Sequence, residues 1–110
     1  MAYDTKLEQR IDKFAAGWDI TLTKKKMFGG IGYLAGGNMC FGIHKNELII
    51  RADEAKAKKL LNKKGIRVFD MTGRPMKNWL MASPDAFDSD AKLLELLTAG
   101  RDFGLSLPPK

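Results

Sequence analysis

A single cysteine, Cys40, and a single histidine, His44, stand among 110 residues. One cysteine excludes an internal disulfide, and the pair is too sparse for a zinc site built from thiolates and imidazoles. No apolar run approaches the roughly 18 residues of a membrane span. The opening stretch MAYDTKLEQRIDKFAAGWDI mixes acids with bases where a secretion signal needs an apolar core. These absences point to a soluble chain in a reducing compartment, hence a cytoplasmic one with no membrane partner. Low-complexity tracts and internal repeats are missing too, which leaves nothing to read as a linker inside the domain.

What is present suits one folded domain: 45% of the residues are hydrophobic, enough for a core at this length. Nineteen Lys and Arg against thirteen Asp and Glu give a formal charge of +6, which favours association with polyanions.

The chain divides into short elements. Leu7, Ile11, Phe14, Ala15 and Trp18 share one helical face, so a helix is expected over 4–17 with Asp4 or Thr5 as cap. ITLT at 20–23 is β-prone but short, and reads equally as a loop. From Met27 the period changes to two. Gly36-Gly37 separates two alternating runs as a hairpin turn, and Lys45-Asn46 separates the next two, which predicts a meander of strands over 28–35, 38–44 and 47–51. A helix over 53–65 follows with Asp53 as cap, then a strand at 66–69, a loop over DMTGRP, a strand at 78–82, and a helix capped by Asp88 or Ser89. This order, α-βββ-α-ββ-α, predicts an α+β two-layer sandwich: an antiparallel five-stranded sheet with helices on one face. Residues 1–104 form the domain and 105–110 a C-terminal tail.

Two-residue turns fix a register. They set Leu34 opposite Met39, Gly32 opposite Phe41 and Gly30 opposite Ile43 on the covered face, then Phe41 opposite Ile50 and Ile43 opposite Leu48. Ile31, Tyr33, Cys40, Ile49 and Arg51 thereby fall on the other face, an apolar patch suited to a protein contact or a homodimer seam.

The catalytic and cofactor readings are weaker. Gly30-Ile31-Gly32-Tyr33-Leu34-Ala35 matches the dinucleotide fingerprint in letters, but that fingerprint must open a helix, and here a turn and another strand follow. Cys40 and His44 lie about 13 Å apart on an extended strand, too far for one metal or one proton transfer. Asp85, Asp88 and Asp90 suit a helix start rather than a cation loop. No catalytic residue, cofactor or metal is therefore expected. The basic residues form two clusters, Lys24-Lys25-Lys26 and the ridge Lys56, Lys59 and Lys63, which supply a secondary surface for nucleic acid or another polyanion.

MFGGIGYLAGGNMCFGI, the strand ELIIRADE and the segment RPMKNWLM together resemble the N-terminal domain of the TfoX/Sxy proteins, bacterial regulators of natural competence, over residues 24–82. The resemblance implies an antiparallel α+β domain of single-domain form, without catalytic residues, that serves transcriptional control. The expectation is a non-enzymatic protein-interaction module acting on a transcription partner through its sheet face and basic surface. The alternative is a small-molecule-binding domain or minor enzyme using Cys40, Arg51 and Tyr33 in one pocket.

Overall fold

A computed structural model describes residues 3–27, 30–69 and 78–108. In chain order they form α1 (Thr5–Ala15), β1 (Thr23–Met27), β2 (Gly30–Ala35), β3 (Asn38–His44), β4 (Glu47–Arg51), α2 (Glu54–Leu61), β5 (Ile66–Val68), β6 (Trp79–Ala82), a 3-10 turn (Pro84–Phe87) and α3 (Asp90–Ser106). The helices start where their caps predict. Asp4 accepts from the amides of Lys6 and Leu7, Asp53 from Lys56 and Ser89 from Lys92, each satisfying donors that a helix start leaves orphaned. The loop expected over DMTGRP lies outside the described residues, as do Phe28 and Gly29.

All six strands make one antiparallel sheet in the order β1-β2-β3-β4-β6-β5. The expected α+β architecture holds, with six strands instead of five. β1, TKKKM, is the additional one: three consecutive lysines carry no two-residue alternation to announce a strand. It occupies a border of the sheet, where lysines are characteristic. At the other end of the chain, α3 continues to Ser106, so the expected tail from 105 begins inside a helix. The amide of Asn38 donates to the Pro108 carbonyl at 2.9 Å and ties that segment to the sheet.

Both turns form as expected. Gly36 and Gly37 take φ of 59° and 85°, which their missing Cβ permits without strain. Lys45 also adopts a left-handed φ, 56°, and its carbonyl accepts from the Asp4 amide at 2.7 Å. The β3–β4 register matches the expectation, with Phe41 opposite Ile50 and Ile43 opposite Leu48.

The β2–β3 register does not. Leu34 faces Met39, but a bulge follows, so Tyr33 pairs with Phe41, Gly32 with Gly42 and Ile31 with Ile43. Cys40 is the extra residue. Parity explains the slip, because a two-residue turn sets odd positions of β2 against even positions of β3, while Ile31 and Tyr33 of β2 and Phe41 and Ile43 of β3 are all odd. One inserted residue brings Ile31 and Tyr33 to the side of Phe41 and Ile43. Burying those two side chains favours this arrangement by roughly 3–6 kcal/mol, at about 1.5–3 each. A forfeited ladder hydrogen bond costs only about 1 kcal/mol net.

Two rows then cross the covered face, Ile31–Ile43–Leu48–Ala82–Ile66 and Tyr33–Phe41–Ile50–Leu80. The helices lie over this face: α3 against β3 and β4, α2 beside β5 and β6, and α1 inserting Leu7 and Ile11 into the same core. A smaller cluster, Met39, Ile49, Phe69 and Met81, packs on the opposite face with Leu34 and Trp79 against it. No helix of the described residues is long and apolar enough to cross a membrane.

Candidate functional site

The five residues expected on one open face do not form one. Ile31, Tyr33 and Cys40 are buried in the helix-side core, and Ile49 is buried in the opposite cluster beneath Phe69 and Met81. The bulge is the cause for Ile31 and Tyr33, since it turns both toward the helices. Cys40 is sealed by α3, whose Gly100 and Gly104 ride directly on its backbone and sulfur. Its thiol is 0% exposed, and burial pushes its pKa up to about 11 against smaller opposing effects of a backbone hydrogen bond and of Arg51. A thiol held protonated and out of reach is a poor nucleophile.

Cys40, Arg51 and Tyr33 also fail to converge on one pocket, because the two polar side chains engage different elements. The Tyr33 hydroxyl donates to Asp12 Oδ1 at 2.9 Å, and Lys24 Nζ reaches Asp12 Oδ2 at 2.6 Å and Glu8 Oε2 at 3.0 Å. Burial, followed by the bond to Asp12 and the nearby carboxylates, raises the Tyr33 pKa. This cluster fastens α1 across β1 and β2. It also consumes Lys24, the first of the expected polyanion contacts.

Arg51 lies instead at the sheet end. Its guanidinium is stacked 4.7 Å from the Trp79 ring centroid and 4.8 Å from that of Phe103, and Nη1 donates to the Met39 carbonyl at 3.3 Å. Nε is buried without a partner, and burial lowers the pKa of the group. Phe103 comes from α3, so this clamp joins the helix layer to the sheet. No local pattern announces it, as Arg51 and Phe103 are 52 positions apart.

The lysine ridge is divided. Lys56 and Lys63 of the α2 region both face Glu95 of α3, at 3.8 and 3.0 Å, while Lys59, Lys25 and Lys26 are exposed with no carboxylate of the described residues paired to them. Exposed pairs of this kind contribute less than about 1 kcal/mol each, so they orient more than they stabilise.

Lys56 also lines a groove of about 610 Å³ between α2 and α3. Leu94, Thr98, Ala99 and Phe103 give it an apolar floor, and Asp53, Glu95, Asp102 and Lys56 stand along its banks. Leu94 is 36% exposed and Leu105, further along α3, 51%. α3 is thus apolar on the side that meets the sheet and carries leucines on its outer side as well. The LLELL run makes these leucines visible in the sequence, but only the packing shows which of them stay outside. Among the described residues no group of three or more His, Cys, Asp or Glu side chains is placed to hold a metal ion.

No match was found among curated proteins or among solved structures. The TfoX N-terminal domain, in contrast, matches residues 16–103, from the end of α1 through the Arg51 partner Phe103. Both the sheet and most of α3 fall within that span, and the chain therefore belongs to the TfoX N-terminal domain family.

Proposed function

We propose that this protein is a non-enzymatic interaction module that acts in transcriptional regulation of the competence-regulator kind, in the cytoplasm, by contacting a protein partner. The observation that carries the reading is the family match over residues 16–103. The sealed Cys40 supports it, because the alternative of thiol chemistry needs a reactive sulfur. The contact surface moves from the sheet to the outer face of the helices, where Leu94 and Leu105 are exposed. Lys25, Lys26 and Lys59 assist by favouring a polyanionic assembly such as a protein already seated on DNA.

The test is transcript profiling of a strain from which the gene is deleted, complemented with the wild-type chain or with Cys40→Ala. A defined set of transcripts should change on deletion and be restored by both. An unchanged profile refutes the regulatory role, and failure of a folded Cys40→Ala chain to complement restores the enzymatic alternative.

A further inference from the structure

β1 is an end strand of the sheet, and among the described residues no strand lies beyond it. In an antiparallel pair alternate residues turn both backbone groups to the neighbour, so the others of Thr23–Met27 turn theirs outward. No backbone hydrogen bond from the described residues reaches those outer groups. Sheet edges are commonly closed by a bulge, a proline or a covering element. β1 has neither bulge nor proline, since its register with β2 runs unbroken from Thr23 opposite Leu34 to Met27 opposite Gly30. Its lysines guard it instead, and a guard made of charge discriminates between callers.

Lys24 reaches Glu8 and Asp12 of α1, at 3.0 and 2.6 Å, and so marks the helix side of the strand. Alternation then puts Lys26 on that side and Lys25 on the opposite one. Both are exposed, with no carboxylate of the described residues paired to them, so one ammonium is available on each side of the edge. A second copy of the chain does not fit: antiparallel pairing of β1 with itself sets lysine against lysine over 24–26, and like charges directly opposite destabilise a strand pair. Nucleic acid meets the ammonium groups but brings no ladder of amides and carbonyls. An extended polypeptide with two consecutive acidic residues satisfies both, because its backbone completes the ladder and its acids fall one to each side.

We propose that the outer edge of β1 receives an extended acidic segment of a partner protein as an added strand, with consecutive Asp or Glu residues set against Lys25 and Lys26. The inference rests on the interaction-module reading and deepens it by stating the partner's chemistry at a second surface. Backbone pairing supplies the attachment, and the two lysines supply the selection.

The experiment titrates the full-length chain, labelled with nitrogen-15, with a short synthetic peptide of valine and threonine carrying two central glutamates. Its glutamine and lysine counterparts serve as controls, as does the glutamate peptide N-methylated along its backbone. Amide shifts should centre on β1 and its neighbour β2, and the outward amides of β1 should gain protection from hydrogen exchange. The glutamine peptide should bind about tenfold more weakly, on the scale of two cross-strand charge pairs, and the N-methylated peptide not at all. Lys25→Glu combined with Lys26→Glu should lose the glutamate peptide and take the lysine peptide instead, a reversal that a misfolded chain would not show. The proposal is overturned if the glutamate peptide leaves the β1 amides unshifted, if the glutamine peptide binds equally well, or if the N-methylated peptide does, which would reveal charge attraction without strand pairing. It is also overturned if a DNA duplex displaces the bound peptide and protects the β1 amides in its place, or if those amides are already protected in the unliganded chain and lose protection on dilution, which would seat a second copy there. Transcript changes in the deletion strain without peptide binding would leave the regulatory reading standing and remove only this edge; peptide binding without transcript changes would keep the edge and remove that reading.

Discussion

Gly100 and Gly104 make opposite predictions depending on whether α3 is viewed alone or in place. In an exposed helix interior, replacing glycine by alanine stabilises by about 1 kcal/mol. Here a Cβ on Gly100 would collide with the Cys40 carbonyl oxygen, with the Cys40 carbonyl carbon and Phe41 Cδ2 both at 3.1 Å behind it. A Cβ on Gly104 would collide with Cys40 Sγ, beyond which Cys40 Cβ stands at an ordinary 3.6 Å. Each methyl falls roughly 1 Å inside the separation that packed atoms keep. Overpacking of this size costs about 1–3 kcal/mol, so after the propensity gain each single variant should lose about 0–2 kcal/mol.

The two sites then diverge. Cys40→Ala removes the sulfur that blocks Gly104→Ala, leaving a small void that the new methyl occupies. The double variant should recover about 1–2 kcal/mol relative to the sum of the single changes. Gly100→Ala should show no such recovery, because its obstacle is backbone. Urea unfolding followed by tryptophan fluorescence measures the wild type, the three single variants and the two double variants with Cys40→Ala. Stabilisation by Gly100→Ala, or additivity of Gly104→Ala with Cys40→Ala, would refute the packing described for α3.

Three further outcomes are expected. Cys40 should resist an aromatic disulfide reagent in the native chain and react fully in urea; rapid labelling at neutral pH would contradict a buried thiol with a pKa near 11. Lys45→Gly should stabilise by about 0.5–1 kcal/mol in thermal unfolding, since glycine relieves the left-handed φ, and a lower midpoint would contradict that geometry. Arg67 hydrogen-bonds Glu47, at 2.9 Å for one of its contacts, and holds its carboxyl below the usual range despite partial burial. A lowered folded pKa contributes stability above the unfolded value near 4.3 and loses it as pH falls through the folded value. The melting-temperature advantage of wild type over Glu47→Gln should therefore be present at pH 6 and shrink below about pH 4; a constant difference across that range would rule the pair out as its source.

Local chemistry was readable and its summation only partly so. Asp4, Asp53 and Ser89 announce their helices, and Gly36-Gly37 its turn, because each acts over three or four residues. The β3–β4 register followed from turn length alone. The β2–β3 register did not, although a clue was available: odd-numbered large residues on both strands conflict with a two-residue turn, and only a bulge reconciles them. That single unforeseen residue moved Ile31 and Tyr33 from a supposed contact face into the core. β1 was concealed because its side chains answer to a border position rather than to a buried face. Gly100 and Gly104, residues of low helix propensity, are the places where α3 comes closest to β3. The groove was least legible, since it depends on how far apart two helices settle.

The position of β1 has a consequence for colloidal behaviour. Among the described residues the sheet ends at β1 on one side and β5 on the other, and the outer side of β1 carries backbone that a neighbour's strand is able to extend. Lys25 and Lys26 place two unpaired positive charges along the β1 margin, and copies approaching margin to margin repel one another. Acetylation of those amines would silence the repulsion without touching the core, and light scattering should then register fibrous growth in a protein whose melting temperature has hardly moved.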